Sequence, residues 1–156
     1  MSNPLLYSGT MSGISEQQPL LSREGALEML ERHGIAPTGQ RTEIARLLFG
    51  CHQHLSAEQI LAQLSKTSAR VSKATVYNTL NLFAQTGLVR EVVIDSTKRF
   101  YDSNTDPHHH LFHTDTGRLE DVPPAQVQIG QLPGLPASME VLGVDVVIRV
   151  GPRRKA

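Results

Sequence analysis

The apolar residues of this chain change their spacing once, at Gly87-Leu88-Val89, and that change limits its fold more than any other feature. Upstream the spacing is helical and punctuated by caps. Ser22 opens a helix carrying Ala26, Leu27 and Leu30, which ends near Gly34. Pro37-Thr38 opens a second, with Ile44, Ala45, Leu47 and Leu48 on its buried side. Ser56-Ala-Glu-Gln59 is a capping box: the serine oxygen takes an orphan amide and the glutamine reaches back. It starts a third helix with Ile60, Leu61 and Leu64. Ser72 caps a fourth, from Lys73 to about Thr86, in which Val76, Leu80, Phe83 and Ala84 form one buried stripe. Downstream the period shortens toward two. Val89, Val92, Val93 and Ile94, a turn at Asp95-Ser96-Thr97, and Arg99-Phe100-Tyr101 predict a β-hairpin.

A helix-turn-helix set closed by a hairpin is the pattern of a winged helix, whose last helix enters the DNA major groove while the wing lies along the backbone. The charge fits. The 156-residue chain has no net charge, which excludes a generic polyanion binder. Yet between Lys66 and Arg99 six basic residues stand against two acidic ones. Asn78 and Asn81 lie opposite the apolar stripe, and asparagine can pair bidentately with adenine. Lys73, Arg90, Lys98 and Arg99 suit phosphates, which position a protein without reading sequence.

The length allows one domain, or two small ones sharing a modest core. A single cysteine excludes an internal disulfide framework and any multi-cysteine zinc finger, and it fits a reducing cytoplasm. No apolar run approaches the ~18–20 residues of a membrane span. The first twenty residues carry no Lys, Arg or apolar core of a secretory signal, so a cytoplasmic protein with a mobile arm over residues 1–20 is expected.

Six of the seven histidines fall in two groups, His52 and His54 after Cys51, and His108-His109-His110 with His113. Imidazole is the commonest protein metal ligand. The second group starts a predicted strand, on which His108 and His110 share one face while His109, Leu111 and His113 share the other. A turn at Asp115-Thr116-Gly117 returns the chain through Arg118–Val122, Pro-rich connections follow, and Val144–Val150 reads as a last strand. Three strands with little helix to cover them leave apolar surface and open edges, so a homodimer through this region is expected.

Ala74-Thr-Val-Tyr-Asn-Thr-Leu80, then Gly87-Leu-Val89, then a His-x-His strand ending in Gly117 and Asp121, resembles the ferric uptake regulator family over about residues 22–150. Within it the triple His, the recognition-helix segment and the Val144-Asp-Val-Val-Ile-Arg149 tail are most similar to the iron response regulator branch. The resemblance implies an α+β chain: an N-terminal winged helix-turn-helix DNA-binding domain (21–103), a hinge (104–107) and a small α/β dimerisation and sensing domain (108–151). It implies one regulatory divalent metal site formed by His54, Asp102, His108, His110 and Asp121. Such mixed nitrogen and oxygen donors suit Fe(II), Mn(II) or Zn(II). With ligands from both domains, metal binding would set their angle and hence the spacing of two recognition helices on a palindromic AT-rich operator. Arg41, Lys73, Thr75, Tyr77, Asn78, Asn81, Lys98 and Arg99 are the candidate contacts to double-stranded DNA.

Two departures qualify the resemblance. Many relatives hold a structural zinc with paired Cys-x-x-Cys motifs; here His113 and Thr116 occupy one pair's positions and the other pair is missing, so no four-cysteine zinc is expected. The branch is also associated with haem, for which His109, His113 and His52 are the remaining candidate ligands, although the Cys-Pro haem motif of some members is missing. The expected function is regulation of iron and haem homeostasis genes. A peroxide-sensing repressor of the same family is the alternative, because Asp121 stands where iron sensors tend to carry Glu. A zinc hydrolase built on the histidines would leave the helices and hairpin without a role, and no enzyme is expected.

Overall fold

The computed structural model describes residues 18–154. It is an α+β chain of four helices and two small sheets. The helices are α1 (Arg23–Arg32), α2 (Gly39–Leu48), α3 (Ala57–Leu64) and α4 (Lys73–Gln85). Each starts where a hydroxyl side chain captures a free amide: Ser22 from Gly25, Thr38 from Arg41, Ser56 from Gln59 and Ser72 from Thr75. The Ser56–Gln59 box is reciprocal, as the sequence predicts. Gly87, in left-handed backbone at φ 74°, turns the chain out of α4, a conformation that penalises any side chain.

Two-residue β1 (His54–Leu55) joins β2 (Arg90–Val93) and β3 (Arg99–Asp102) in an antiparallel sheet of order β1-β3-β2, the wing. The second sheet holds β4 (His109–His113), β5 (Leu119–Val122) and β6 (Val147–Val150) in the order β5-β4-β6, with β6 parallel to β4. Three details differ from the sequence reading. β1 is too short to show any alternation. The expected strand from Val144 is regular only from Val147: the Val146 carbonyl accepts from the His110 amide of β4, but its own amide donates to the His109 ring instead of to a backbone carbonyl. And of the expected N-terminal arm, residues 1–17 lie outside the described residues, while Pro19 packs on α2's end. A Cβ at Gly50 would stand only 1.7 Å from the Pro19 carbonyl oxygen.

One apolar core fills the helical unit, with Leu30, Ile44, Leu48, Ile60, Val76, Leu80 and Phe83 wholly buried and Tyr101 closing it from the wing. Each such side chain contributes roughly 1.5–3 kcal/mol on leaving water. A second, smaller cluster joins the sheets: Val92, Ile94 and Phe100 of the wing meet Phe112, Leu119 and half-buried Val147. Between β5 and β6 the chain is irregular apart from one turn of 3-10 helix at Pro124–Gln126. It exposes Ile129, Leu132, Leu135, Met139, Val141 and Leu142, the last at 91%.

Candidate metal centre

Two cross-strand pairs, one from each sheet, build the site. His54 and Asp102 are directly opposed in the β1–β3 pair, and His110 and Asp121 in the β4–β5 pair. Opposed residues project from the same sheet face, and the two pairs face each other across the junction between the sheets. His108, one step outside β4, shares the face of His110 and completes the group. One donor atom from each of the five lies within 4.8 Å of every other. Sequence reasoning named the same five.

The separations are those of a coordination sphere. Asp102 Oδ2 lies 2.7 Å from His108 Nε2, 3.1 Å from His110 Nε2 and 3.3 Å from His54 Nε2. Asp121 Oδ1 lies 2.6 Å from His54 Nε2 and 3.4 Å from His108 Nε2. Bonds of about 2.1 Å to a shared cation at near right angles put neighbouring donors about 3 Å apart. The protons point the same way. His108 Nδ1 is 2.6 Å from the Asp106 carbonyl, which can only accept, so Nδ1 donates and leaves Nε2, 2.7 Å from Asp102, as the ring's metal-facing nitrogen. His108 Nε2 and His110 Nε2 also stand 3.0 Å apart, and buried His54 Nε2 and Asp121 Oδ1 meet no hydrogen bond of good angle. Lone pairs converging on one point fit a divalent cation.

Charge supports this. Burial would raise the Asp102 carboxyl, but hydrogen bonding to His110, the adjacent His54 and the Asn104 amide hold it well below the usual range. Burial likewise works against a charged His54. Asp102 and then Asp121 more than offset it, so the ring holds its proton more tightly than a free imidazole. The site is thus an anionic pocket that gathers positive charge.

Its supporting residues were not visible in the sequence. Asn104 donates its amide to Asp102 and its side-chain nitrogen to Asp121, 3.3 Å away, and so orients both carboxylates. Ser103 accepts from the Gln53 amide and donates to the Cys51 carbonyl, while Gln53 caps α2's end at the Leu47 carbonyl. Together they fix the approach to His54. The only hint was a Ser-Asn-Thr-Asp-Pro run, which marks a turn but not its purpose.

The expected DNA face lies on α4 and the wing. Asn78 and Asn81 are exposed, and Lys73 stands 5.8 Å over the Tyr77 ring. The Tyr77 hydroxyl donates to Glu58, and Thr75 lies beside the Ser72 cap. A groove of about 270 Å³ separates α4 from the wing turn, with Tyr77 and Asn81 on one wall and Lys98 and Arg99 on the other. Several cations are already engaged: Arg99 with Glu91 at 2.5 Å, Arg41 with the Ala36 carbonyl, Lys98 over the Phe112 ring. Arg90, read from the sequence as a phosphate contact, instead turns inward to the Asp106 carbonyl and Asp145. The haem candidates share no site: His52 is exposed on the loop before β1, His109 is buried against Val146, and His113 lies 2.5 Å from Glu120. His113, expected from the resemblance to stand in for a zinc cysteine, thus forms an imidazole–carboxylate pair.

The fold and this junction define a winged-helix protein with a candidate metal centre between its helical, winged unit and a second, smaller sheet. Residues 32–132 match the model of the ferric uptake regulator family, and the chain belongs to that family. A peroxide-responsive repressor of Staphylococcus aureus is 34% identical over 98 residues, which cover 63% of this chain and 66% of that protein, just under two thirds. Among solved structures, the ferric uptake regulator of Vibrio cholerae superposes at a TM-score of 0.64 with 21% identity, covering 81% of this chain and 98% of its own. That of Pseudomonas aeruginosa, solved with manganese, gives 0.62 with 23% identity, covering 81% and 97%. At such identities these two likenesses establish the fold. Among the described residues no helix is long and apolar enough to cross a membrane.

Proposed function

We propose that this chain is a dimeric, metal-responsive, DNA-binding transcriptional repressor of iron and haem homeostasis genes, of the iron response regulator type, acting in the cytoplasm. One observation carries the reading: the five donors come from both structural units. A bound Fe(II), Mn(II) or Zn(II) supplies the positive charge that three imidazoles and two carboxylates can share. His54 and Asp102 move with the wing, while His108, His110 and Asp121 move with the second sheet. Drawing the two pairs together fixes the wing against that sheet. In a twofold dimer this sets the distance between the two α4 helices, which must match the repeat of the DNA. Asn78, Asn81, Thr75 and Tyr77 then face base edges, and Arg41, Lys73, Lys98 and Arg99 the phosphates. The exposed apolar segment between β5 and β6 supports a partner copy there.

Binding to a palindromic AT-rich duplex, measured metal-free, with Mn(II) and with haem, tests the reading. Ligand should change affinity by about tenfold or more. Equal affinity in all three forms would sink it. Loss of the haem effect in His109→Ala, His113→Ala or His52→Ala would assign that ligand.

A second reading, a peroxide-sensing repressor, is favoured by Asp121 and by the similarity to the Staphylococcus aureus repressor. After peroxide treatment of the Fe(II)-loaded protein, a mass gain of one oxygen on His54 or His108 decides for it. Unmodified histidines decide against.

A further inference from the structure

Arg90 is the third member of the row that holds two of the five donors: His54, Asp102 and Arg90 lie side by side across the wing. It is no ligand, yet it reaches further than either neighbour. Its guanidinium donates to the Asp106 carbonyl at 3.1 Å, the same oxygen that receives the His108 Nδ1 proton at 2.6 Å. It lies 3.4 Å from His108 Nδ1 itself, and its other nitrogen pairs with Asp145, just before β6. One side chain thus touches the wing, the hinge, the shell behind a candidate ligand and the segment leading into the last strand. A forked, planar cation suits this, since it can hold two acceptors at fixed directions.

We propose that Arg90 is a positioning residue that latches the wing to the second sheet and couples the orientation of His108 to the angle between them. The Asp106 carbonyl is the pivot. Held by Arg90, it keeps the His108 proton on Nδ1 and Nε2 aimed at Asp102. Released, it frees the ring and the hinge together. Asp145 supplies the other end of the latch, so closure at the five donors is transmitted to β6 as well as to α4. Other contacts help close the junction, including Arg149 with the Ile94 carbonyl and Phe112 with the wing. Neither of these reaches the shell of a donor residue, and Asn104, which bridges Asp102 and Asp121, makes no contact with the segment before β6.

The inference rests on the metal-centre reading, and the test separates the two. Full-length wild type, Arg90→Met and Asp145→Asn are titrated with Mn(II), and amide hydrogen exchange is followed with and without the ion. Asp145 is mostly exposed, so its variant folds even if Arg90→Met does not. In wild type Mn(II) should slow exchange in both β4 and β2. In both variants affinity should fall about tenfold, the lower end for a lost supporting contact. Mn(II) should still protect β4, while its protection of β2 is lost. Wild-type affinity and wild-type β2 protection in both variants would overturn the latch. A phosphate role for Arg90 would show as weaker DNA binding by Arg90→Met, equal with and without Mn(II), and no effect of Asp145→Asn; that too overturns it. Wild type that binds no Mn(II), or binds it equally well as His108→Ala with His110→Ala, removes the metal-centre reading and the latch with it.

Discussion

The helical unit and the second sheet solve the same problem by different means. Among the described residues seventeen buried side chains form the helical core, from four helices, their connections and the inner edge of the wing, so this unit closes on itself. The junction cluster has five, and three of them belong to the wing; the second sheet contributes only Phe112 and Leu119. It makes up the difference with a buried polar cluster, a borrowed apolar face and apolar side chains left on the surface. A self-sufficient core resists change in shape. A sheet held by a cluster of polar groups that could share a cation, and by few apolar contacts, is one whose position a small ligand can set.

The largest effect should come from the self-sufficient side. Phe83→Ala opens a cavity in the helical core and should cost about 3–5 kcal/mol, enough to abolish most of its stability in a urea denaturation. A loss below about 1 kcal/mol would show that the helices do not depend on this core. Phe112→Ala acts at the junction and should cost about 3 kcal/mol there while leaving the helical unit folded. Two separate transitions, by helical circular dichroism and by exchange of β4 amides, are the expected outcome. A single cooperative unfolding shifted as far as that of Phe83→Ala would erase the contrast between the regions.

Acidity probes the polar side. His54 binds its proton more tightly in the folded chain, so its contribution to metal-free stability is whole below 6.5 and is lost as pH rises through the folded value. Asp102 has the opposite sign: its contribution is whole above 3.8 and disappears as pH falls through its lowered folded value. The metal-free site is therefore most stabilising between 3.8 and 6.5. Mn(II) must displace the His54 proton, so its affinity should climb over the range in which metal-free stability declines. Urea midpoints and Mn(II) titrations at about pH 5.5 and about pH 8 measure both slopes. Parallel rather than opposed trends would contradict the assignment. The smallest effect is at the cap: Ser56→Ala should cost about 1 kcal/mol without changing Mn(II) affinity.

The two regions were also unequally legible. The helices announce themselves through Ser22, Thr38, Ser56 and Ser72, because a cap and an apolar stripe are local features. The five donors were found through resemblance, and periodicity alone predicted only that His108 and His110 share a face. What stayed hidden was non-local. Two-residue β1 carries no pattern, yet its pairing with β3 is what opposes His54 to Asp102. Arg90 looked like one more cation on a basic hairpin, and only the folded hinge turns it inward. Asn104 orients both Asp102 and Asp121 by reaching seventeen residues along the chain to the latter, a contact no local spacing encodes.

The central claim is that a single metal centre is divided between the two units. Mn(II) titration of His54→Ala against His108→Ala with His110→Ala tests it most directly. The account predicts that removing the one imidazole supplied by the wing weakens binding by at least tenfold, as removing the two from the second sheet abolishes it. Wild-type affinity in His54→Ala would place the metal on the second sheet alone and contradict the claim.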